Sequence, residues 1–176
     1  MKNIFVMGVV AMLLMTTSAT AQWERFSVGF LGSQFGNYQH DQRISEIKNP
    51  LGYGVVLGYQ IRRDVAVGIT EEYAEGEMER WLGTEKNYRT NASVFLFPMV
   101  TPYVRPYLSA GVVYTHRLQN YTGVGTQSKD MFNGRLCAGL DYPIFDRISM
   151  NGDLGLYNDG WKFVGWGGTF GLRYIL

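Results

Sequence analysis

The sequence predicts an all-β protein, an eight-stranded antiparallel up-and-down transmembrane β-barrel. Eight segments of about ten residues alternate apolar side chains with small or polar ones, which is the period of a β-strand. The connections between these segments alternate between long and short, as expected for long outer loops and short periplasmic turns. Aromatic residues make up 15% of the chain and there are 22 glycines, a composition that suits bulky lipid-facing and small lumen-facing positions.

The first 21 residues have the pattern of a cleaved secretory signal peptide. Lys2 precedes an apolar run, and Ala19 and Ala21 supply the small residues that a signal peptidase accepts. The run of about 12 residues is shorter than the roughly 20 that a membrane-spanning helix needs. We therefore expect residues 1–21 to be removed and residues 22–176 to form one outer-membrane β-barrel domain, exported through the periplasm of a Gram-negative bacterium.

Charge and cysteine content argue against several classes of function. The chain carries 16 Lys and Arg against 15 Asp and Glu, so there is no basic field to attract nucleic acid. Cys137 is the only cysteine and cannot form an internal disulfide, so we interpret it as a small structural residue. Two histidines and one cysteine give poor support for a structural zinc site, and no metal or cofactor is predicted.

The predicted strands follow one another along the mature chain, and each is long enough to cross a bilayer at a tilt. They lie at 23–32, 51–61, 65–75, 87–97, 103–115, 131–142, 147–157 and 163–175. Their even number allows the first strand to pair with the last, which removes the sheet edges that lipid cannot satisfy. Short turns are predicted at 62–64, 98–102 and 143–146, and outer loops at 33–50, 76–86, 116–130 and 158–162.

One face of every predicted strand is bulky and apolar. In strand order it comprises Phe26, Val28, Phe30; Leu51, Tyr53, Val55, Leu57, Tyr59, Ile61; Val65, Val67, Ile69; Tyr88, Ala92, Val94, Leu96; Val104, Leu108, Ala110, Val112, Tyr114; Phe132, Leu136, Ala138, Leu140, Tyr142; Ile148, Met150, Leu154, Leu156; Val164, Trp166, Phe170, Leu172, Tyr174, Leu176. The opposite face is small, polar or charged: Gly52, Gly54, Gly58, Gln60, Glu72, Arg89, Asn91, Ser93, Arg105, Ser109, Asn133, Arg135, Asp141, Asn151, Asp153, Arg173. An eight-stranded barrel has little room inside, so we predict that the bulky face points to lipid. A soluble barrel, with its bulk inside, is the less favoured alternative.

Aromatic side chains fall at both ends of the predicted wall, where amphipathic rings prefer the headgroup level. Those toward the outer rim are Tyr53, Tyr73, Tyr88, Tyr114, Phe132 and Trp166, and those toward the periplasmic rim are Phe26, Tyr59, Tyr142 and Tyr174. Glu71 interrupts the apolar face. Either it has reached the outer interface, or a β-bulge near it resets the register.

Two segments carry a family resemblance. The segment RPYLSAGVVY from Arg105 to Tyr114 and the terminal GLRYIL from Gly171 to Leu176 resemble the small outer-membrane β-barrel proteins. That class includes the membrane domain of outer-membrane protein A and the small adhesion-type barrels, and the resemblance implies a fold rather than an activity. It also implies that the last strand is the signal read by the barrel-assembly machinery. The family usually ends in an aromatic residue, whereas this chain ends in Leu176 and has Tyr174 two residues earlier.

Charged residues on the polar face are predicted to meet inside the barrel. They are Glu72, Arg89, Arg105, Arg135, Asp141, Asp153 and Arg173. Because an isolated buried charge is costly and a paired one is tolerated, we expect an ion-pair and hydrogen-bond network that plugs the lumen. A continuous watery path past the arginines would instead make a narrow small-solute channel.

The histidines and an acidic cluster fall in predicted outer loops. A lipid A-modifying enzyme would need His40 or His116 to converge with a serine or an acid at the outer rim, and we favour solvated loop histidines. The acidic cluster comprises Glu71, Glu72, Glu75, Glu77, Glu79 and Glu85. We interpret it as part of a solvated hairpin, with a divalent-ion contact to lipopolysaccharide phosphates as the alternative.

The expected function is therefore a structural or surface-interaction role in the outer membrane, exercised through extracellular loops. No catalytic, cofactor-binding or metal-binding residue is assigned, and we expect no enzyme activity. The expected partners are outer-membrane lipids and lipopolysaccharide, the barrel-assembly machinery, and an extracellular partner of the loops. The alternatives are a lipid A-modifying barrel enzyme and a narrow small-solute channel.

Overall fold

The alternating segments form eight strands that pair in chain order and close into a barrel. The computed structural model describes residues 25–36, 51–77, 83–123, 125–159 and 162–176, so the predicted signal peptide lies outside the described residues. The strands are β1 (Arg25–Gly36), β2 (Leu51–Arg62), β3 (Val65–Glu77), β4 (Gly83–Leu96), β5 (Arg105–Tyr121), β6 (Gly125–Phe145), β7 (Ile148–Asp159) and β8 (Lys162–Ile175). All neighbours are antiparallel and β1 pairs with β8, which confirms the predicted fold. Within the described ranges, no helix is long and apolar enough to cross a membrane.

The strands are staggered as they pass around the wall. A path that starts at Phe26 and moves from partner to partner returns to β1 at Gly36, ten residues further along that strand. A stagger of this size over eight strands corresponds to a tilt of about 40°. A strand of 12 residues, such as β2, then rises about 30 Å, which matches the hydrocarbon thickness of a bilayer.

The predicted lipid face is the outer surface of the barrel. Phe30, Leu136 and Leu154 are 73%, 59% and 69% exposed, whereas Asn91 and Ser93 on the predicted polar face are buried in the lumen. A continuous apolar surface of this size is unfavourable in water and suits hydrocarbon. The inside-out arrangement predicted from the alternation is confirmed, and the soluble-barrel alternative is wrong.

Strands β5 and β6 continue far beyond their predicted ends. They contain 17 and 21 residues and remain paired up to Tyr121 opposite Gly125. The segment 116–130 was predicted as a long loop, and that prediction was wrong. Above the membrane both faces of these strands are mostly polar, with Leu118 an exception, so the apolar alternation disappears. Arg117 and Gln119 are still buried on the inner face.

A tight turn closes this β-hairpin, and we call residues 116–130 the outer hairpin. Gly123 and Gly125 have φ angles of 85° and 107°, which other residues rarely adopt, so the chain reverses here without a long loop. β6 has 21 residues and β2 has 12, so β6 is longer by about 30 Å. The predicted loop 76–86 is also shorter than expected, because β4 begins at Gly83.

Glu71 lies in regular strand pairing, opposite Val55 on one side and Thr90 on the other. The shift in the pairing of β2 with β3 lies at the far end, between Gln60 and Arg62, so the β-bulge alternative for Glu71 is wrong. Its carboxylate accepts a hydrogen bond from Thr90 Oγ1 at 3.0 Å. The alternative that remains is a location at the outer interface, where a charge costs little, and it stays a prediction.

Two small apolar clusters lie inside the barrel, which the predicted polar lumen face did not include. One contains Ala66, Phe97 and Tyr107, with Phe95 and Val100 packed against it. The other contains Ala74, Val113 and Tyr157. Both place large side chains from one half of the wall against small residues of β3, which is how a narrow lumen is filled.

Candidate functional site

The charged lumen side chains form three tiers along the barrel axis, beginning at the periplasmic end. Asp141, whose side chain is 1% exposed, lies between Arg105 and Arg173. The register places Arg105 directly opposite Asp141, and Arg173 Nη2 lies 2.7 Å from Asp141 Oδ1. This periplasmic tier therefore joins β5, β6 and β8 across the lumen.

The middle tier is built around Asp153. Arg135 Nη2 lies 2.8 Å from Asp153 Oδ1, and the Tyr107 hydroxyl donates to the other carboxylate oxygen at 3.1 Å. The Arg135 guanidinium also lies over the Tyr157 ring, 5.6 Å from its centroid. A buried ion pair is better tolerated in a dry interior when, as here, both carboxylate oxygens have a partner.

The outer tier lies at the base of the outer hairpin and is centred on Glu85. Arg117 Nε lies 3.0 Å from Glu85 Oε1, and the two side chains are 7% and 0% exposed. Asn87 donates to the same oxygen and Gln119 to Glu85 Oε2, both at 2.8 Å. The Glu85 carboxylate thus accepts two hydrogen bonds and forms an ion pair with Arg117, and these partners come from two strands.

The assignment of Glu85 to a solvated acidic cluster was wrong. Alternation carried back from Ser93 through Asn91, Arg89 and Asn87 reaches Glu85 on the inner face, and that signal was present in the sequence. It was missed because the strand was predicted to begin after this residue.

All seven charged residues predicted for the lumen lie on the inner face of their strands. Five of them belong to the periplasmic and middle tiers. The remaining two, Glu72 and Arg89, are both buried and lie directly opposite each other in β3 and β4.

The rest of the predicted acidic cluster is dispersed over different surfaces. Glu75 is exposed, accepts a hydrogen bond from the Tyr73 hydroxyl at 2.5 Å and lies 3.6 Å from Lys86 Nζ. Glu77 is exposed, and Glu79 lies outside the described residues. In the part of the chain that the structure describes, no group of three or more His, Cys, Asp or Glu side chains could hold a metal ion.

His116 converges with an acid on the outer surface, whereas His40 lies outside the described residues. His116 Nδ1 donates to Asp130 Oδ1 at 2.6 Å, and the Tyr114 hydroxyl donates to the same oxygen at 2.9 Å. The hydrogen bond from His116, and then that from Tyr114, lowers the pKa of the Asp130 carboxyl below its ordinary value of 3.8. The Tyr114 hydroxyl therefore contacts the Asp130 carboxylate rather than the His116 imidazole.

Aromatic rings line both rims of the wall, as predicted. At the outer rim, the ring centroids of Tyr53 and Tyr73 are 5.5 Å apart, and those of Tyr73 and Tyr88 are 5.2 Å apart. At the periplasmic rim, Phe26 and Tyr59 lie 4.7 Å apart. Contacting rings at two levels suit the two headgroup regions of a bilayer.

Comparisons with known proteins agree with this geometry. The family model described as outer membrane protein beta-barrel domain matches residues 7–175. The N-terminal β-barrel domain of Pseudomonas aeruginosa OprF is 18% identical, covers 87% of this chain and 99% of its own, and has a TM-score of 0.58. Ail, the attachment invasion locus protein of Yersinia pestis, is 18% identical, covers 89% of this chain and 100% of its own, and has a TM-score of 0.57.

A third solved structure is similar in the same way. OprG from Pseudomonas aeruginosa is 13% identical, covers 88% of this chain and 96% of its own, and has a TM-score of 0.64. At these identities the likeness shows the fold alone. Comparison with curated proteins found no match.

Proposed function

Because this chain belongs to the outer membrane protein β-barrel domain family, we propose that it is a rigid outer-membrane platform with a structural or surface-interaction role. The observation that carries the proposal is the set of three ion-pair tiers across the lumen. Export through the periplasm with removal of residues 1–21 is part of the proposal, as is insertion by the barrel-assembly machinery.

The tiers favour a plugged barrel over a solute channel. Eight strands enclose room for side chains or at most one small ligand, and here arginines from several strands cross the lumen. Opening a path would separate buried arginines from their carboxylates, which costs about 3–5 kcal/mol for each broken pair. The network thus supports a stiff wall rather than a gate.

The outer hairpin supports a surface-interaction role. Its strands are the longest of the described barrel, and most side chains on its outer face are polar, Leu118 being an exception. The described side-chain contacts above the buried tier include those of Asp130 with His116 and Tyr114. Residues 125–130 are nevertheless exposed, so this surface is available to partners. The similar protein Ail is named for attachment and invasion, which agrees with a role of this kind.

Lipid contact is the second part of the proposed role. The apolar wall and the two aromatic rims suit outer-membrane lipids and lipopolysaccharide. At the outer rim, Lys86 and Glu75 lie just above the Tyr73 and Tyr88 rings. At this level a lysine can contact the phosphates of lipopolysaccharide, and a glutamate can contact the cations that accompany those phosphates.

The test uses a variant with a shortened outer hairpin. Gln119 and Gln127 are partners across the hairpin, so residues 120–126 can be replaced by Asn-Gly without disturbing the register. Both proteins should show a boiling-dependent gel shift and no steady current in planar bilayers. A non-adherent laboratory strain should adhere to cultured epithelial cells with the full hairpin and lose adherence with the short one.

Two results would overturn the proposal. A steady conductance from protein that still shows the gel shift would support a channel instead. Equal adherence of the two strains, together with an intact barrel in both, would remove the surface-interaction role from the hairpin.

One contact favours a second candidate, a lipid A-modifying enzyme. His116 is oriented by Asp130 at the outer membrane level, which is the arrangement of a general base and its orienting acid. Such a site also needs a nucleophile, and the hydroxyl of Tyr114 is engaged with Asp130 instead. Mass spectrometry of lipid A from cells with the wild-type chain or His116→Ala tests this candidate: identical lipid A in both removes it.

A further inference from the structure

A cavity of about 480 Å³ occupies the periplasmic end of the lumen. It exists because the two sides of the wall differ in bulk. Gly58, Ala66 and Gly68 of β2 and β3 line one side, and Phe95 and Tyr107 line the other. The glycines leave space that the aromatic rings fill only in part, and the volume falls in the range of small-molecule sites.

The opening of the cavity lies at the end where the chain makes its short turns. Arg63 of the turn between β2 and β3 lines it, as do Val100 and Thr101 of the turn between β4 and β5. The first turn is held against the second, since Phe97 N donates to the Asp64 carbonyl at 2.9 Å. The rim is therefore ordered and faces the periplasm in the predicted orientation.

The charge of the cavity wall is strongly positive. Arg25, Arg63, Arg105 and Arg173 line the cavity, and its lining within the described residues includes no Asp or Glu. Asp141 lies behind Arg105 and Arg173 and balances only part of their charge. The wall thus keeps an excess of positive charge in a confined space, where electrostatic interactions are stronger than in bulk water.

One of these arginines is fixed and still has a donor available. The Arg105 guanidinium lies over the Phe97 ring at 5.5 Å and contacts Asp141 through Nη2. Its Nε is buried and has no hydrogen-bond partner in the described structure. The Arg105 side chain as a whole is 19% exposed, so an anion in the cavity can contact this accessible part and offset the cost of an incompletely paired arginine.

We propose that this cavity is a binding site for a small organic anion that carries one phosphate or carboxylate group on an apolar or aromatic body. The arginines take the anionic group, and Val56, Phe95 and Val100 contact the body. Above the cavity, Tyr107 and the middle tier of Arg135 and Asp153 close the lumen. The site therefore holds its ligand from the periplasmic side and does not pass it through the membrane, an activity separate from the proposed display at the outer surface.

The probe for the test is phenyl phosphate, titrated by NMR or calorimetry against the full mature chain in phosphatidylcholine nanodiscs. We expect saturable binding with an affinity at least about tenfold above that of inorganic phosphate or of phenol. Inorganic phosphate can use only the arginines, and phenol can use only the apolar side chains. Arg63→Gln should weaken binding by about fivefold, because Arg63 is at the exposed rim and outside the ion-pair tiers.

Two neighbouring residues give a matched pair of variants. Val56→Phe fills the cavity and should abolish binding, whereas Val55→Phe adds the same bulk on the lipid face and should leave it unchanged. A boiling-dependent gel shift must be retained by every variant that is titrated. If Val56→Phe loses the shift, Arg63→Gln alone is the test: weaker binding supports the site, and unchanged binding overturns the proposal.

The absence of saturable binding to wild type would overturn the proposal, as would equal binding by Val56→Phe and Val55→Phe. Nanodiscs that also contain phosphatidylglycerol distinguish the two sources of such an anion. Competition by this lipid would identify a lipid headgroup as the occupant, and unchanged binding of phenyl phosphate would identify a soluble anion.

Discussion

Replacing Glu85 with glutamine removes the carboxylate of the outer tier while preserving the size of the side chain. Both Glu85 and Arg117 are buried, with 0% and 7% of their side-chain surfaces exposed, so the arginine would keep its charge without an ionic partner. Breaking a buried pair in this way costs about 3–5 kcal/mol. The amide carbonyl of the glutamine still accepts from Asn87 or Gln119, so we expect the lower end, about 3 kcal/mol.

The matched control is Glu75→Gln, which removes the partner of Lys86 on the outer surface. Both side chains of that pair are 44% exposed and the ionic contact is 3.6 Å long, so the expected loss is below about 1 kcal/mol. The measurement is the urea midpoint of the boiling-dependent gel shift for proteins refolded into vesicles. If Glu85→Gln lowers the midpoint no more than Glu75→Gln does, the outer tier does not stabilise the barrel and the reasoning fails.

A double-mutant cycle separates the pair from the other contacts of Glu85. Arg117→Gln alone should also be destabilising, and the double variant should lose less than the sum of the two single losses. Additive losses would mean that the effect of Glu85 comes from its amide partners rather than from the arginine.

A charge on the lipid face should be costly: Leu136→Arg replaces a side chain that is 59% exposed on the apolar wall, and unfolding from vesicles should become easier by about 2–4 kcal/mol. Unchanged stability would place this face outside hydrocarbon. Gly125→Ala adds a Cβ at a φ of 107° and should cost about 1 kcal/mol, with faster hydrogen exchange confined to the outer hairpin; exchange that rises in every strand would contradict this. Because the pKa of Asp130 is lowered, its carboxylate supports the hairpin above the ordinary value of 3.8, and that support is lost as the pH falls through the lower folded value. His116→Ala should raise this pKa in an NMR titration, and an unmoved pKa would show that the imidazole is not its cause.

The membrane-spanning part of the fold was predictable because lipid imposes a rule on every residue. Alternation of bulky and small side chains is enforced wherever one face meets hydrocarbon, so positions such as Phe30 and Ser93 could be assigned to opposite faces. Charges in the lumen were predictable for the same reason, because the only place for Asp141 or Arg135 in such a wall is the inside.

Beyond the membrane that rule no longer applies, and there the predictions failed. Apart from Leu118, both faces of the described outer hairpin are polar, so the sequence pattern cannot distinguish a strand from a loop. The burial of Arg117 depends on Glu85, which lies 32 positions earlier in the chain and meets it only through the pairing of β4 with β5. The contact of His116 with Asp130 depends likewise on the register that the turn at Gly123 and Gly125 imposes.

The unequal strand lengths imply an order of assembly. β5 and β6 share 17 paired positions across a connection of a few residues, so their hairpin can form early with little loss of chain entropy. β1 and β8 share ten paired positions and come from opposite ends of the domain, so their junction is the last to close. Until it closes, each of these two edge strands has a row of unpaired backbone amides and carbonyls, and the hydrocarbon of the membrane cannot form hydrogen bonds with them. The junction of β1 with β8 is therefore where a nascent barrel needs to be held, and where slow closure would lead to aggregation.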